Sequence, residues 1–273
     1  MTRVAFQGEL GAYSEEGIVR LWGEDAEPVP CREFLDVAQA VDRGDVELGL
    51  LPIENTLAGS VVGSYDALAA CPSLHVVAET VVAIHHCVLG LRGATLEEVR
   101  AVESHPVALA QCGRWLRGRP ALTVRAAYDT AGAARDVAGR ADPTIAAIAG
   151  RPAAARYGLQ ILAADIEDRP DNQTRFLAIA CAPRPLPPET PARTALSLIT
   201  RNVPGALLSV LHPLATHGLN MSKLESRPTG EPWRYRFFVE FEHPAGSSEA
   251  AAAIEAMRAA SEVLRVLGSY AKA

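Results

Sequence analysis

Apolar and polar positions alternate along this chain with two periods, and the switches between them outline the fold. RVAFQG (3–8) has the apolar run of a short buried strand, and YSEEGIVRLWG (13–23) has the spacing of an amphipathic helix. FLDVAQAVDRGD (34–45) predicts a second helix and ELGLLPI (47–53) a buried strand. LHVVAETVVAIHHCVLGL (74–91) is a long β-rich run. LEEVRAV (96–102) and HPVALAQCGRWLRG (105–118) predict helices, LTVRAAY (122–128) a strand and DTAGAARDVAGR (129–140) a helix. TIAAIAG (144–150) is a strand, RPAAARYG (151–158) a helix and NQTRFLAIA (172–180) a last strand. Strands alternating with helices imply α/β layers with substantially parallel sheets.

CAPRPLPPETPAR (181–193) holds five prolines and no apolar period. Proline fixes φ and removes a donor, so this segment predicts a stiff extended linker. Beyond it come a strand (ALSLIT), a helix (GALLSVLHPLATHG, with Gly218 at a C-cap position), two strands (NMSKLESRP, WRYRFFVEFE), an Ala-rich helix (247–262) and a strand (VLRVLGSY). The βαββαβ order is the ferredoxin-like pattern. The expected domains are therefore 1–181, a linker at 182–193 and a module at 194–273. The β-rich run near 76–80 serves as a crossover between two lobes, and the chain returns to the first lobe near 166–172.

Composition narrows the function. The 273 residues are 49% hydrophobic and 21% charged, enough for sizeable cores without staples. A net charge of −6 gives no drive toward phosphate backbones or anionic lipid, so neither nucleic acid nor membrane is an expected partner. Cys31, Cys71, Cys87, Cys112 and Cys181 form no Cys-x-x-Cys pair. Reduced thiols in a cytoplasm fit them better than zinc or disulfides. The N-terminus lacks a signal-peptide core, and residues 76–91 are too polar to span a bilayer. No phosphate-loop, dinucleotide, zinc-protease or serine-hydrolase motif occurs, and no metal or cofactor is expected.

Four segments are polar at strand-to-helix junctions, where open α/β sheets bind ligands. In QGELGAYSEE (7–16), Ser14 at a helix start either helps present amides to an anion or simply caps the helix. In PIENTLAGSV (52–61), Glu54, Asn55 and Thr56 end a strand, as ligand groups or as a capping cluster. In ESHPVALAQC (103–112), Ser104, His105 and Gln111 surround a helix whose first turn takes Pro106. Ser104 and His105 are sequence neighbours and do not suit a nucleophile–base pair. In IEDRPDNQTRFLAI (166–179), Asn172, Gln173, Thr174 and Arg175 precede a hydrophobic strand, either as site residues or as a turn with an edge arginine.

In order, PIENT (52–56), SHPVALAQC (104–112), YGL (157–159), NQTRF (172–176), GAL (205–207) and KLESRP (223–228) resemble the prephenate dehydratase family with its C-terminal ACT regulatory domain. The sequence departs from the family pattern at Glu9, Ala12-Tyr13, Thr56 and Val107. The resemblance implies an α/β fold, with a two-lobed catalytic region like type 2 periplasmic binding proteins and a ferredoxin-like ACT domain. It implies a cofactor-free lyase that converts prephenate to phenylpyruvate, carbon dioxide and water in phenylalanine biosynthesis. Thr174 would be the essential alcohol, with Glu54, Asn55 and Gln111 as further catalytic groups and Glu54 or water relaying a proton. Ser14, Thr56, Ser104, His105, Asn172, Arg175 and Phe176 would bind substrate. L-phenylalanine would regulate through Gly205, Ala206, Leu207, Asn220, Glu225, Ser226 and Arg227 at the interface of a homodimer or homotetramer. With no helical segment ahead of RVAFQG, a fused chorismate mutase is not expected. Arogenate dehydratase is the near alternative and a non-catalytic two-lobed amino-acid sensor the distant one. Deleting residues from about 190 onward is expected to spare catalysis and abolish feedback.

Overall fold

The computed structural model describes residues 1–273. The chain falls into two compact units. One comprises Met1–Val37, Leu50–Val61 and Thr80–Phe176, and the other Ala38–Gly49, Val62–Glu79 and Leu177–Ala273. No helix is long and apolar enough to cross a membrane.

The chain opens with β1 (Arg3–Gln7), α1 (Tyr13–Trp22), β2 (Glu27–Cys31), α2 (Phe34–Asp42), β3 (Leu48–Asn55), β4 (Gly59–Ser60), α3 (Val62–Ala70) and β5 (His75–Ala83). These strands, with β11 (Gln173–Ala180), form a six-stranded sheet of order β2-β1-β3-β11-β5, with β4 paired to β3. The apolar runs explain the order: Val4, Ala5, Phe6, Leu50, Leu51 and Ile53 are all fully buried. β2 carries Pro28 and Pro30, which hides it from a propensity reading. A strand pairing through one side only, parallel to β1, tolerates proline.

A second sheet contains β6 (Cys87–Gly90), β7 (Ala101–Ser104), β8 (Thr123–Ala126), β9 (Ile145–Ala149) and β10 (Gln160–Ala163), in the order β10-β6-β9-β7-β8. Its helices are α4 (Pro106–Gln111), α5 (Gly113–Arg117), α6 (Thr130–Arg140) and α7 (Arg151–Tyr157). The sheet is mixed rather than substantially parallel. β7 runs parallel to β8 and β9, while β6 is antiparallel to β9 and β10. The helix expected at 96–102 is absent: residues 95–98 turn, and Ala101 and Val102 enter β7. Val102 is wholly buried with Val88, Ala146 and Ile148, so non-local pairing overrides the local helical spacing.

The C-terminal module holds β12 (Pro191–Ile199), α8 (Ala206–Thr216), β13 (Asn220–Pro228), β14 (Tyr235–Pro244), α9 (Ser248–Ala260) and β15 (Val263–Ala271). Its antiparallel sheet, ordered β13-β14-β12-β15, is the expected ferredoxin-like arrangement. Leu196, Leu198, Val210, Leu214, Phe241 and Met257 share its core. The proline-rich stretch is shorter than its composition suggests. Residues 183–187 carry no regular structure, and Pro191 already opens β12, a first strand position that proline accepts.

This module seats on α3 and β5 within the second unit. Arg193 donates to Glu79 at 2.9 and 2.6 Å, with the glutamate side chain almost wholly buried, and also reaches Glu242 at 3.0 Å. Arg265 donates to the Leu68 and Leu74 carbonyls. Arg227 forks onto Asp66 at 3.1 and 2.9 Å. Gly268 lies so close to the Val76 carbonyl that an added Cβ would collide with it. Tyr65 packs on Phe238 with ring centroids 4.8 Å apart.

Candidate active site

A cavity of about 500 Å³ opens in the first unit. Its wall takes residues from the ends of β1, β3 and β11, from the start of α1, and from the segments entering α4 and α6. These are the junctions where open sheets leave polar groups unpaired.

Asn55 and Thr174 form its best-defined corner. The Asn55 Oδ1 accepts from the Leu57 and Ala58 amides at 3.0 and 2.8 Å, which fixes the amide's orientation. Its Nδ2 then donates to Asn172 Oδ1 at 2.8 Å, Thr174 Oγ1 at 3.0 Å and the Gln173 carbonyl at 3.1 Å. An aspartate here would have no N–H to give. Because Thr174 accepts from Asn55, its own O–H remains available to the cavity that it lines. Thr56 fastens the two segments together. Its amide donates to the Gln173 carbonyl at 2.9 Å, and its hydroxyl accepts from the Gln173 amide at 3.0 Å.

Strand alternation divides the predicted residues. On β3, Pro52 and Asn55 line the cavity and Glu54 between them does not. On β11, Thr174 and Phe176 line the cavity and Arg175 between them does not. Glu54 and Arg175 meet instead at 3.6 Å, both off the cavity wall. A proton relay from Glu54 to Thr174 and a substrate grip by Arg175 therefore find no support in this geometry. Ser104 is also displaced from its expected role: it is fully buried and donates to the Ile148 carbonyl at 2.6 Å, tying β7 to β9. Asn172 is fully buried behind Asn55, and Thr56 clamps the backbone; neither lines the cavity.

Ser14, His105 and Gln111 do line it. Ala12 is the N-cap of α1 and has no side chain to satisfy the first-turn amides, which leaves them suited to an anion. The N-cap of α4 is His105, whose Nδ1 accepts from the Val107 amide at 3.3 Å. Asp129 caps α6 and accepts from the Gly132 amide at 2.8 Å.

Among the wall residues that were not anticipated, Tyr13 and His86 are joined by hydrogen bonds. The Tyr13 hydroxyl donates to the His85 carbonyl at 2.7 Å, so its oxygen accepts the Nδ1–H of His86 at 3.1 Å. Burial lowers the His86 pKa and keeps the ring neutral, which leaves Nε2 as a lone pair. Nε2 lies 2.9 Å from Gln111 Oε1. With the ring proton on Nδ1, a bond here requires the Gln111 amide turned so that its NH₂ takes the place of that oxygen. Burial also raises the Tyr13 pKa, so the phenol stays protonated. The His85-His86 doublet carried the only sequence signal for this chain of bonds, and alternation of strand faces gave no way to pair it with Tyr13.

In the second unit, a smaller cavity of about 260 Å³ opens at the start of α8. Gly205, Ala206 and Leu207 line it with Arg201, Trp233 and Arg234. Gly205 is the N-cap at φ 78°, a left-handed conformation that glycine adopts without strain, and α8 has no side-chain cap. Asn220, Glu225, Ser226 and Arg227 lie along the edge strand β13 and do not reach this cavity.

The fold is an α/β region of two sheets with a polar cavity, followed by a ferredoxin-like module. Comparison with known proteins agrees. The prephenate dehydratase family model matches residues 4–184 and the ACT domain model residues 194–259. Arogenate dehydratase/prephenate dehydratase 2 of Arabidopsis thaliana, a chloroplastic protein, is 40% identical over 280 residues, covering 98% of this chain and 72% of that one. The prephenate dehydratase of Arthrobacter aurescens, solved in complex with L-Phe, superposes with a TM-score of 0.92 at 30% identity, over 99% of this chain and 90% of that one. GqqA, described as a novel type of quorum quenching acylase, superposes at 0.90 and 35% identity, over 99% and 98%. The chain belongs to the prephenate dehydratase family, whose members are decarboxylating dehydratases.

Proposed function

We propose that this protein removes carbon dioxide and water from prephenate or from its amino analogue arogenate, giving phenylpyruvate or phenylalanine. In either substrate the C–COO⁻ bond breaks, its electron pair enters the ring, and the hydroxyl at the opposite ring carbon departs as water once protonated. Aromaticity supplies the thermodynamic drive, and the enzyme must assist the leaving oxygen and hold the ring carboxylate in line.

The observation that carries this reading is the Asn55–Thr174 hydrogen bond. It occupies a lone pair of the threonine oxygen and directs the remaining O–H outward, where it can donate to the departing hydroxyl. That bond strengthens as charge grows on the leaving oxygen, so it stabilises the transition state more than the ground state. The net proton comes from water or another acid, since an alcohol is too weak to supply it. Asn, Gln, Ser and α1 amides would hold carboxylates without a full positive charge, and the departing carboxylate then becomes neutral carbon dioxide without leaving a strong cation behind. The absence of Lys and Arg from the wall supports this.

The reading extends to regulation. L-phenylalanine would place its carboxylate at the α8 N-terminus with Arg201 nearby. Asn220, Glu225 and Ser226 would complete the site from the edge strand of a second copy in a homodimer or homotetramer. The plant relative is chloroplastic.

The test is turnover of prephenate and of arogenate by the purified chain, followed as phenylpyruvate and phenylalanine. Thr174→Val keeps the shape and deletes the hydroxyl. It is expected to lower kcat by roughly 10²–10⁴-fold with little change in KM, while Thr174→Ser recovers part of the rate. Near wild-type kcat in Thr174→Val would sink the role given to the alcohol.

A further inference from the structure

We infer that Asp129 is the receptor for a substrate ammonium group, and that the cavity therefore takes arogenate in preference to prephenate; this rests on the reading of the cavity as the dehydratase site. The two substrates carry the same ring carboxylate, ring hydroxyl and side-chain carboxylate. They differ at one atom, a keto oxygen in prephenate and an ammonium nitrogen in arogenate, so prephenate is a dianion and arogenate a net monoanion. A site chooses between them by the charge that it presents to that atom.

The permanent charges on this wall, His105 apart, have one sign. Lysine and arginine are absent, Glu33 and Asp129 are present, and burial keeps His86 neutral. Glu33 is exposed at the rim, whereas Asp129 is half-buried. Burial raises the Asp129 pKa, and Glu9 pushes it in the same direction. His105 and the α6 amides of Gly132 and Ala131 oppose that rise without reversing it. Such a carboxylate gains most from a cation arriving with the ligand. A dianion offers none and adds repulsion.

The helix starts around the cavity sort the two ends of an amino acid. The start of α1 has no side-chain cap; the Glu15 amide is spent on the Ala12 carbonyl at 3.0 Å, and the Tyr13 and Ser14 residues that line the cavity supply the amides left for an anion, with Glu15 and Glu16 in the same turn. The start of α6 is already capped by Asp129 and presents a negative charge instead. The Gly132 amide holds Oδ1 at 2.8 Å and the Ala131 amide also faces the carboxylate; Oδ2 lies on the side of Gly8, where an added Cβ would come within 3.1 Å. One receptor suits a carboxylate and the other an ammonium, as an amino-acid side chain requires and a keto acid does not.

The bland alternative is that Asp129 serves only as a helix cap, and substitution separates the two roles. Asn and Ser cap helices about as well as Asp but carry no charge. We would measure kcat/KM for prephenate and arogenate with the full-length wild type, Asp129→Asn and Asp129→Ser, with thermal melts to verify folding. Wild type is expected to favour arogenate. Both variants should lose about 10- to 100-fold in arogenate kcat/KM, chiefly through KM, the size of a lost charge-assisted hydrogen bond. Prephenate kcat/KM should rise in both. A wild type that favours prephenate, or a substrate ratio that neither variant moves, overturns the inference and leaves the dehydratase reading intact. Turnover of neither substrate by wild type overturns the dehydratase reading and the inference with it.

Discussion

The two cavities of this molecule, each proposed to take a small carboxylic acid, differ in their electrostatics. The larger one, in the first unit, is walled by amides, hydroxyls and two carboxylates, without an arginine or lysine. The smaller one, in the second unit, sets Arg201 and Arg234 beside an uncapped helix start. A site that only has to hold a carboxylate gains from a guanidinium. A site that must let one leave as carbon dioxide loses from it, because the cation stabilises the reactant more than the transition state. Arrangement alone suggests which cavity does chemistry and which senses.

That contrast can be broken on the catalytic side most strongly. Asn55→Asp keeps an acceptor for the Leu57 and Ala58 amides but removes the N–H given to Thr174. It is expected to lower kcat by about 10²-fold, the usual result of misplacing a catalytic group, with the fold retained by circular dichroism. An unchanged kcat would mean that Thr174 needs no orienting partner.

On the sensing side the expected effect is smaller. Arg201→Ala should shift the L-phenylalanine inhibition curve to higher concentration by about tenfold, the lower end for a charged hydrogen bond. A curve that does not move would assign effector recognition to other groups.

The smallest effect sharpens the boundary of the catalytic cavity. Ser104→Ala should cost about 1 kcal/mol of stability in chemical denaturation, the value of one buried hydrogen bond, and leave kcat/KM unchanged for both substrates. A raised KM would return Ser104 to the substrate site.

Much of this was legible in the sequence where local pattern and tertiary demand coincide. The βαββαβ module could be read because its strands and helices each carry their own period. Asn55 and Thr174 could be placed because motif order survives folding. What was not legible depends on strand parity and distant pairing. Glu54 and Arg175 were assigned to the site with their motifs, but neither lines the cavity: Arg175 alternates with Thr174 and Phe176 on β11, and Glu54 meets it at 3.6 Å. Ser104 was lost to the site for a different reason, since the acceptor of its hydroxyl belongs to a strand 44 residues away. Val102 lay in a helical spacing that β9 and β8 overruled. Tyr13, His86 and Asp129 were missed because nothing local links them.

The seating of the C-terminal module on β5 has a practical consequence. Glu79 is neutralised by Arg193, a residue of β12, and Gly268 is the only residue type that fits against the Val76 carbonyl. Cutting the chain near residue 190, the natural experiment for separating catalysis from feedback, would remove Arg193 from Glu79 and uncover the surface of α3 and β5 on which the module seats. A dead truncation would then report collapse rather than a lost control circuit, and single substitutions at the effector cavity are the cleaner scalpel.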